Sequence, residues 1–214
     1  MPKMRDAPST GLAGAKRKRD PSKPERRICH SKSRRMSSSD EGNDRSIQTD
    51  IALLEAKILE SRKHYNNIAT LIQIARQTQS TDDAPILAAV ALCRVFSRLL
   101  ATDDMVRSKG MSETEAVVVA WLKERYREFL DLLLDGFLRS EHPPQQSVAL
   151  TLAMRLVKEE SKAAKDYAFK SGPLPRLIQI LLSSPPDDLN RDEFVIKYFS
   201  QFDDIRFQTF QTIK

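Results

Sequence analysis

One stretch of the chain, from Ser112 to Arg139, has the pattern of a long amphipathic helix. Ser112 and Glu115 have the spacing of an N-terminal capping box. Large apolar residues then recur at steps of three and four, which places them on one helix face. They are Leu122, Tyr126, Phe129, Leu130, Leu133 and Phe137. Because such a face must be covered by neighbouring elements, the pattern predicts a fold of packed helices.

Similar patterns lie on both sides of this stretch, and none shows the period of two that is typical of strands. The predicted helices span residues 50–63, 67–78, 84–101, 147–160 and 174–182, a short one lies within 161–171, and two more open at Asp192 and Asp203. Asp50 is the expected cap of the first. Short Pro- or Asp-containing turns join them. This rhythm predicts an all-α fold, a HEAT-like α-solenoid of stacked helix pairs, with a compact irregular bundle as the alternative.

The positive charge is confined to the N-terminal segment. Residues 1–50 contain 13 Lys+Arg and 7 Asp+Glu, whereas the rest of the chain contains 22 of each. The segment is also nearly free of large apolar side chains, so it cannot bury enough surface to offset its ordering entropy. We therefore expect a disordered basic tail at 1–49 and a helical repeat domain at 50–214.

Two basic clusters stand in this tail at the spacing of a bipartite nuclear import signal. Their residues are Lys16, Arg17, Lys18, Arg19, Lys32, Arg34 and Arg35. The pattern predicts binding to an import receptor, and the alternatives are a solvated charge run or contact with RNA phosphates. Ser37 and Ser38 precede Asp40 and Glu41, which makes them candidates for phosphorylation.

The sequence offers no cofactor, metal or catalytic constellation. The three histidines are not at ligand spacing, and no glycine-rich phosphate loop is present. The acidic pairs 103–104, 187–188 and 203–204 are interpreted as helix N-caps. Trp121, Tyr126, Phe129 and Leu133 are predicted to be structural core. We expect a protein that is not an enzyme, has no small-molecule substrate and contacts no membrane.

Several stretches resemble a known family. They are 121–126 (WLKERY), 198–207 (YFSQFDDIRF), 54–59 (LEAKIL) and the helix 92–100. Together they are similar to the N-terminal half of the nucleolar complex protein 4 family, within the wider CCAAT-binding-factor/Mak21 group. The likeness covers about residues 50–214, and the aspartate pair followed by Ile205, Arg206 and Phe207 is its most specific part.

The resemblance implies a nucleolar, α-helical scaffold of ribosome biogenesis. It implies a complex with nucleolar protein 14 and other small-subunit processome proteins, supporting 18S rRNA maturation and 40S assembly. The alternatives are a DNA-binding transcription regulator of CCAAT-binding-factor type and a generic HEAT-like adaptor. Because residues 205–214 carry an apolar helix with no polar capping repeat, we also expect that the repeat domain is cut short at its C-terminal end.

Overall fold

The computed structural model describes residues 38–77, 83–163, 172–185 and 188–214, and within these ranges the protein contains helices and no strand. The α-helices are α1 (Ser38–Glu60), α2 (Asn67–Ala75), α3 (Ala84–Ala101), α4 (Glu113–Asp131), α5 (Pro143–Ala163), α6 (Pro173–Ser183), α7 (Leu189–Phe194) and α8 (Asp203–Ile213). A 3-10 turn at Arg62–His64 follows α1, and π-helical segments at Leu132–Phe137 and Val195–Phe199 continue α4 and α7. The predicted all-α solenoid class is confirmed.

The first helix begins earlier than the sequence indicates. We expected a start at Ile51 with Asp50 as its cap, and this is wrong because Asp50 lies inside α1. The segment 38–49, assigned from its composition to the disordered tail, is therefore helical. Ile47 packs against the core, and a helix anchored there extends at one hydrogen bond per added residue. One apolar residue among polar ones gives almost no periodic signal.

Helix α3 is the centre of the fold. It packs against α1, α2 and α5, and Leu92, Val95 and Phe96 are fully buried. By length and composition alone α3 is apolar enough to cross a membrane, a test that the core helix of a globular protein also passes. Arg94 is exposed and donates to Glu55 of α1 at 2.6 Å. Ser97, three positions further along the helix, is buried.

The start of α4 matches its prediction in detail. The Ser112 hydroxyl accepts from the Glu115 amide at 3.3 Å, and the Glu115 carboxylate accepts from the Ser112 amide at 3.1 Å. The end differs, because the α-helix stops at Asp131 and widens into a π segment. There the Leu138 amide donates to the Leu133 carbonyl at 2.9 Å, a spacing of five residues.

The acidic pairs have more varied roles than the predicted caps. Asp103, with φ 57°, lies at the left-handed position that ends α3. The next amide, of Asp104, donates to Leu99 at 3.1 Å, as in a Schellman motif. This pair therefore ends a helix and starts none. Asp188 does cap α7, accepting from the Asn190 amide at 2.8 Å, so the expected start at Asp192 is wrong.

The remaining helices differ from the prediction mainly in their bounds. The helix predicted from residue 147 begins at Pro143, where proline is favoured in the first turn. The last helix begins at Asp203 as predicted, but its N-cap is Phe202, so the pair 203–204 lies in the first turn and the predicted cap is wrong. Most of the short helix expected within 161–171 lies outside the described residues. Helices that are near in sequence pack on one another, α5 on α6 and α6 on α8, which builds an array out of local contacts.

Candidate interaction surface

The residues predicted to act in nuclear import lie outside the described part of the chain. This applies to Lys16, Arg17, Lys18, Arg19, Lys32, Arg34 and Arg35, and also to Ser37. Ser38, the other candidate for phosphorylation, is the first residue of α1. Their roles remain predictions.

The four residues predicted to be core lie along α4 and its π extension. Phe129 and Leu133 are fully buried, and Tyr126 is buried except for 7% of its surface. Trp121 lies half-buried at the edge of the core. Its ring faces the Arg125 guanidinium at 5.7 Å from the centroid, a cation–π contact.

A buried polar contact ties α4 to α5. The Tyr126 hydroxyl donates to Oε1 of Glu160 at 2.7 Å. Burial raises the pKa of the Glu160 carboxyl, which the Tyr126 hydrogen bond partly opposes, and burial together with the nearby Glu160 charge raises the pKa of Tyr126. Gly172 approaches the same carboxylate so closely that a Cβ there would lie 2.5 Å from Oε2. The hydrogen bond thus joins α4 to α5, and the close approach of Gly172 brings the start of α6 against the same carboxylate.

A concave surface of about 670 Å³ lies between α5 and the segment that leads into α8. We call it the α5–α8 groove. The α5 side contributes Met154 and Val157, and the opposite side contributes Tyr198, Phe202 and Ile205. Phe202 is half-exposed, whereas Met154, Val157 and Ile205 are buried. The groove therefore has an apolar floor and one large aromatic side chain open to solvent.

The charges along the groove are unevenly compensated. Glu159 pairs with Lys162 at 2.9 Å, and the Asp204 carboxylate accepts from the Ile205 amide at 2.8 Å. Arg155 and Lys158 line the groove, are exposed, and have no hydrogen-bond or ion-pair partner among the described residues. The groove thus presents two free cations beside an apolar surface.

This groove was not predicted, although half of its signal is present in the sequence. Thr151, Arg155, Lys158 and Lys162 recur at steps of four, three and four, which places them on one face of α5. The sequence pattern predicts the helix at 147–160, and it assigns no role to the polar face of that helix. The other half of the signal is the approach of Phe202, about 50 residues away, and sequence spacing does not report that approach.

Another concavity, of about 850 Å³, lies beside the start of α4. Several of its charged groups are engaged with other residues. Arg62 forms an ion pair with Asp104, and Glu115 is held in the capping box. Within the described ranges, no three His, Cys, Asp or Glu side chains come together as metal ligands.

These features define an α-helical repeat protein with an apolar groove that is bordered by two cations. The sequence matches the family described as nucleolar complex protein 4-like, TPR repeats, over residues 39–214. The chain belongs to this family, and the resemblance that we drew from the sequence is confirmed. The family description names the repeats TPR, where we had expected HEAT-like pairs.

A curated relative extends the comparison. An uncharacterized protein of Schizosaccharomyces pombe is 31% identical over 163 residues, which cover 75% of this chain and 34% of the relative. The chain therefore spans about a third of the length of that protein. No solved structure matches the chain significantly.

Proposed function

We propose that the protein is a non-enzymatic ribosome-biogenesis factor that acts in the nucleolus. The observation that carries the proposal is the family match, which begins at residue 39 and runs to residue 214. The described helices add a scaffold architecture, in which stacked helices expose grooves and ridges to protein partners. The basic segment before residue 39 adds an electrostatic means of reaching an acidic receptor or RNA.

In its finer form, the proposal places the chain in the small-subunit processome. There it supports 18S rRNA maturation and 40S subunit assembly, with nucleolar protein 14 as a direct partner. The tail clusters at 16–19 and 32–35 bind an import receptor and then contact pre-rRNA phosphates. Phosphorylation at Ser37 or Ser38 adds negative charge next to these clusters and weakens both interactions.

Affinity purification of the tagged chain from nuclear extract tests the proposal. Mass spectrometry and RNA sequencing of the bound fraction should find small-subunit processome proteins, nucleolar protein 14 among them, with 5′ pre-rRNA. Recovery of chromatin and one duplex DNA sequence instead would favour the transcription-regulator alternative. Recovery of cytosolic proteins alone would favour the generic adaptor.

The import step has its own test. A fluorescent reporter fused to residues 1–49 should accumulate in the nucleus. A matched fusion with Lys16, Arg17, Lys18 and Arg19 changed to Ala should lose most of that accumulation. A wild-type fusion that stays cytoplasmic would contradict the import role and leave the scaffold role intact.

A further inference from the structure

We propose that the α5–α8 groove binds an acidic amphipathic segment of a partner protein. This deepens the proposed scaffold function and rests on it for the identity of the partner. The groove itself specifies only the chemistry, which is a protein segment that carries carboxylates and large apolar side chains on one face.

The apolar half of this specificity comes from the groove floor. Met154, Val157 and Ile205 form a surface that water contacts only at its edges, and Phe202 stands beside it with half of its side chain exposed. Covering an exposed aromatic ring is among the most effective contacts in protein interfaces. The Tyr198 hydroxyl has no partner among the described residues, so it is free to hydrogen-bond a bound backbone.

The acidic half comes from Arg155 and Lys158. Both lie on the solvent face of α5, where they line the groove one turn apart. The nearby carboxylates of Glu159 and Asp204 are already engaged, as described above. A partner with carboxylates at a spacing of three or four residues can pair with both cations while its apolar side chains cover Phe202.

Nucleic acid fits the groove less well, although aromatic and basic residues meet there. A nucleic acid strand carries a negative charge at every nucleotide and is bound by a continuous positive surface. Here the groove offers only two cations, and the Asp204 carboxylate, which has no cationic partner among the described residues, would repel a polyanion. A protein segment avoids this repulsion because its acidic side chains can face Arg155 and Lys158 while uncharged side chains fill its other positions.

The test uses the full 214-residue chain and two labelled 16-residue peptides in fluorescence anisotropy at physiological salt. The first peptide is helical and alternates Glu pairs with Leu and Phe at steps of three and four. The second keeps every Glu and replaces Leu and Phe with Ser. Because the two peptides carry equal charge, tighter binding of the first measures the apolar floor rather than attraction to the basic tail.

Three variants of the chain sharpen this test. Arg155→Glu combined with Lys158→Glu should weaken binding of the first peptide by about tenfold or more. Phe202→Ala, which leaves all charges in place, should weaken it roughly fivefold. Lys123→Glu with Arg127→Glu changes the net charge by the same amount on exposed positions of α4, and it should leave the preference for the first peptide unchanged.

Each other outcome overturns the proposal. Equal binding of the two peptides would assign the affinity to charge attraction without the apolar floor, and an equal loss in the α4 control would assign it to the net charge of the chain. Binding of a single-stranded RNA 20-mer that requires Arg155 and Lys158, together with peptide binding that does not require them, would identify the groove as an RNA site. Self-association of the chain that is abolished by Phe202→Ala would assign the groove to a second copy.

The peptide measurement needs no nucleolar protein, so the groove can fail while the proposed function stands. In the reverse case, peptide binding with no processome protein recovered from extract would retain the groove and reject the proposed function.

Discussion

Two regions of the helical array, the core around α3 and the last helix α8, use the same apolar residues in opposite ways. Around α3 and α4, the rings of Phe96 and Phe129 stack at 5.5 Å between centroids and are fully buried. On α8, Phe207 and Phe210 are exposed over 59% and 58% of their surface, and Ile213 continues the same stripe. Aromatic content alone therefore does not separate core from surface in this chain.

The difference arises from how many faces each helix has covered. Helix α3 is surrounded by α1, α2 and α5, whereas α8 packs mainly on α6, through a face that contains the buried Ile205 and Thr209. Contiguous exposed apolar residues on a folded protein are typical of an interaction surface. The helices around α3 thus form the buried core, whereas α8 keeps an apolar face exposed within the described residues.

The largest expected effect on stability comes from making the same change, Phe to Ala, in each of the two regions. Phe129→Ala should lower the free energy of unfolding by about 3–5 kcal/mol, since it opens a cavity under Phe96. Phe207→Ala should change it by less than about 0.5 kcal/mol, because the ring is exposed. Urea denaturation followed by circular dichroism measures both.

Equal losses for the two variants would contradict the comparison, because Phe207 would then be part of a core. A loss at Phe207 that grows with protein concentration would have another meaning. It would show that α8 is covered by a second copy in solution.

The next effect concerns the junction of the two regions. Gly172→Ala should cost about 1–3 kcal/mol, because the new Cβ would lie 2.5 Å from Oε2 of Glu160. The carboxylate cannot move away freely, since its other oxygen accepts from Tyr126. In a Glu160→Ala background the same change should be neutral or stabilising. A double-mutant cycle with no coupling would show that the carboxylate adjusts at no cost.

Local features of the fold were the ones that the sequence predicted best. The capping box of Ser112 and Glu115 depends on residues three apart, and the structure contains it as expected. Asp103 shows the limit of such reasoning, because aspartate is favoured both at N-caps and in the left-handed conformation that ends a helix. Which role it takes depends on the polar loop that follows, and the residue type does not reveal it.

Features that depend on tertiary contacts were not predicted. The π segments need a hydrogen bond five residues back, such as the one between Ser200 and Val195 at 2.9 Å, and no residue type specifies it. The α5–α8 groove needs Phe202 opposite Arg155, and the packing of α7 on α5 and of α8 on α6 brings them together. Periodicity therefore predicted which faces are apolar, but it did not predict which polar face borders a groove.

A pH series with Glu160→Gln isolates the buried carboxyl at the junction. Burial raises the folded-state pKa of Glu160 above its unfolded value. The protonated form therefore adds stability below the unfolded pKa, and this contribution is lost as pH rises through the folded pKa. The glutamine variant does not ionise, so its stability relative to the wild type should increase with pH across that range. Chemical denaturation at several pH values from 4 to 8 measures it, and a constant difference would show that the carboxylate is solvated.

The smallest expected effect on stability tests whether ion pairs between α6 and the end of α4 contribute to holding these elements together. Arg176 on α6 forms ion pairs with Asp131 and Asp135, at the end of α4 and in its π extension. All three side chains are at least 42% exposed, so solvent screens the pairs. Arg176→Ala should lower the free energy of unfolding by less than about 1 kcal/mol, and the loss should shrink in 1 M NaCl.

Denaturation at low and high salt measures this loss. Arg139→Ala is the control, because among the described residues that exposed arginine forms an ion pair only with Asp135, four residues before it in the chain, at 4.0 Å. A loss well above about 1 kcal/mol that shrinks in salt would mean that α6 is held by these charges, whereas the buried Leu177 and Ile178 indicate that apolar packing holds it.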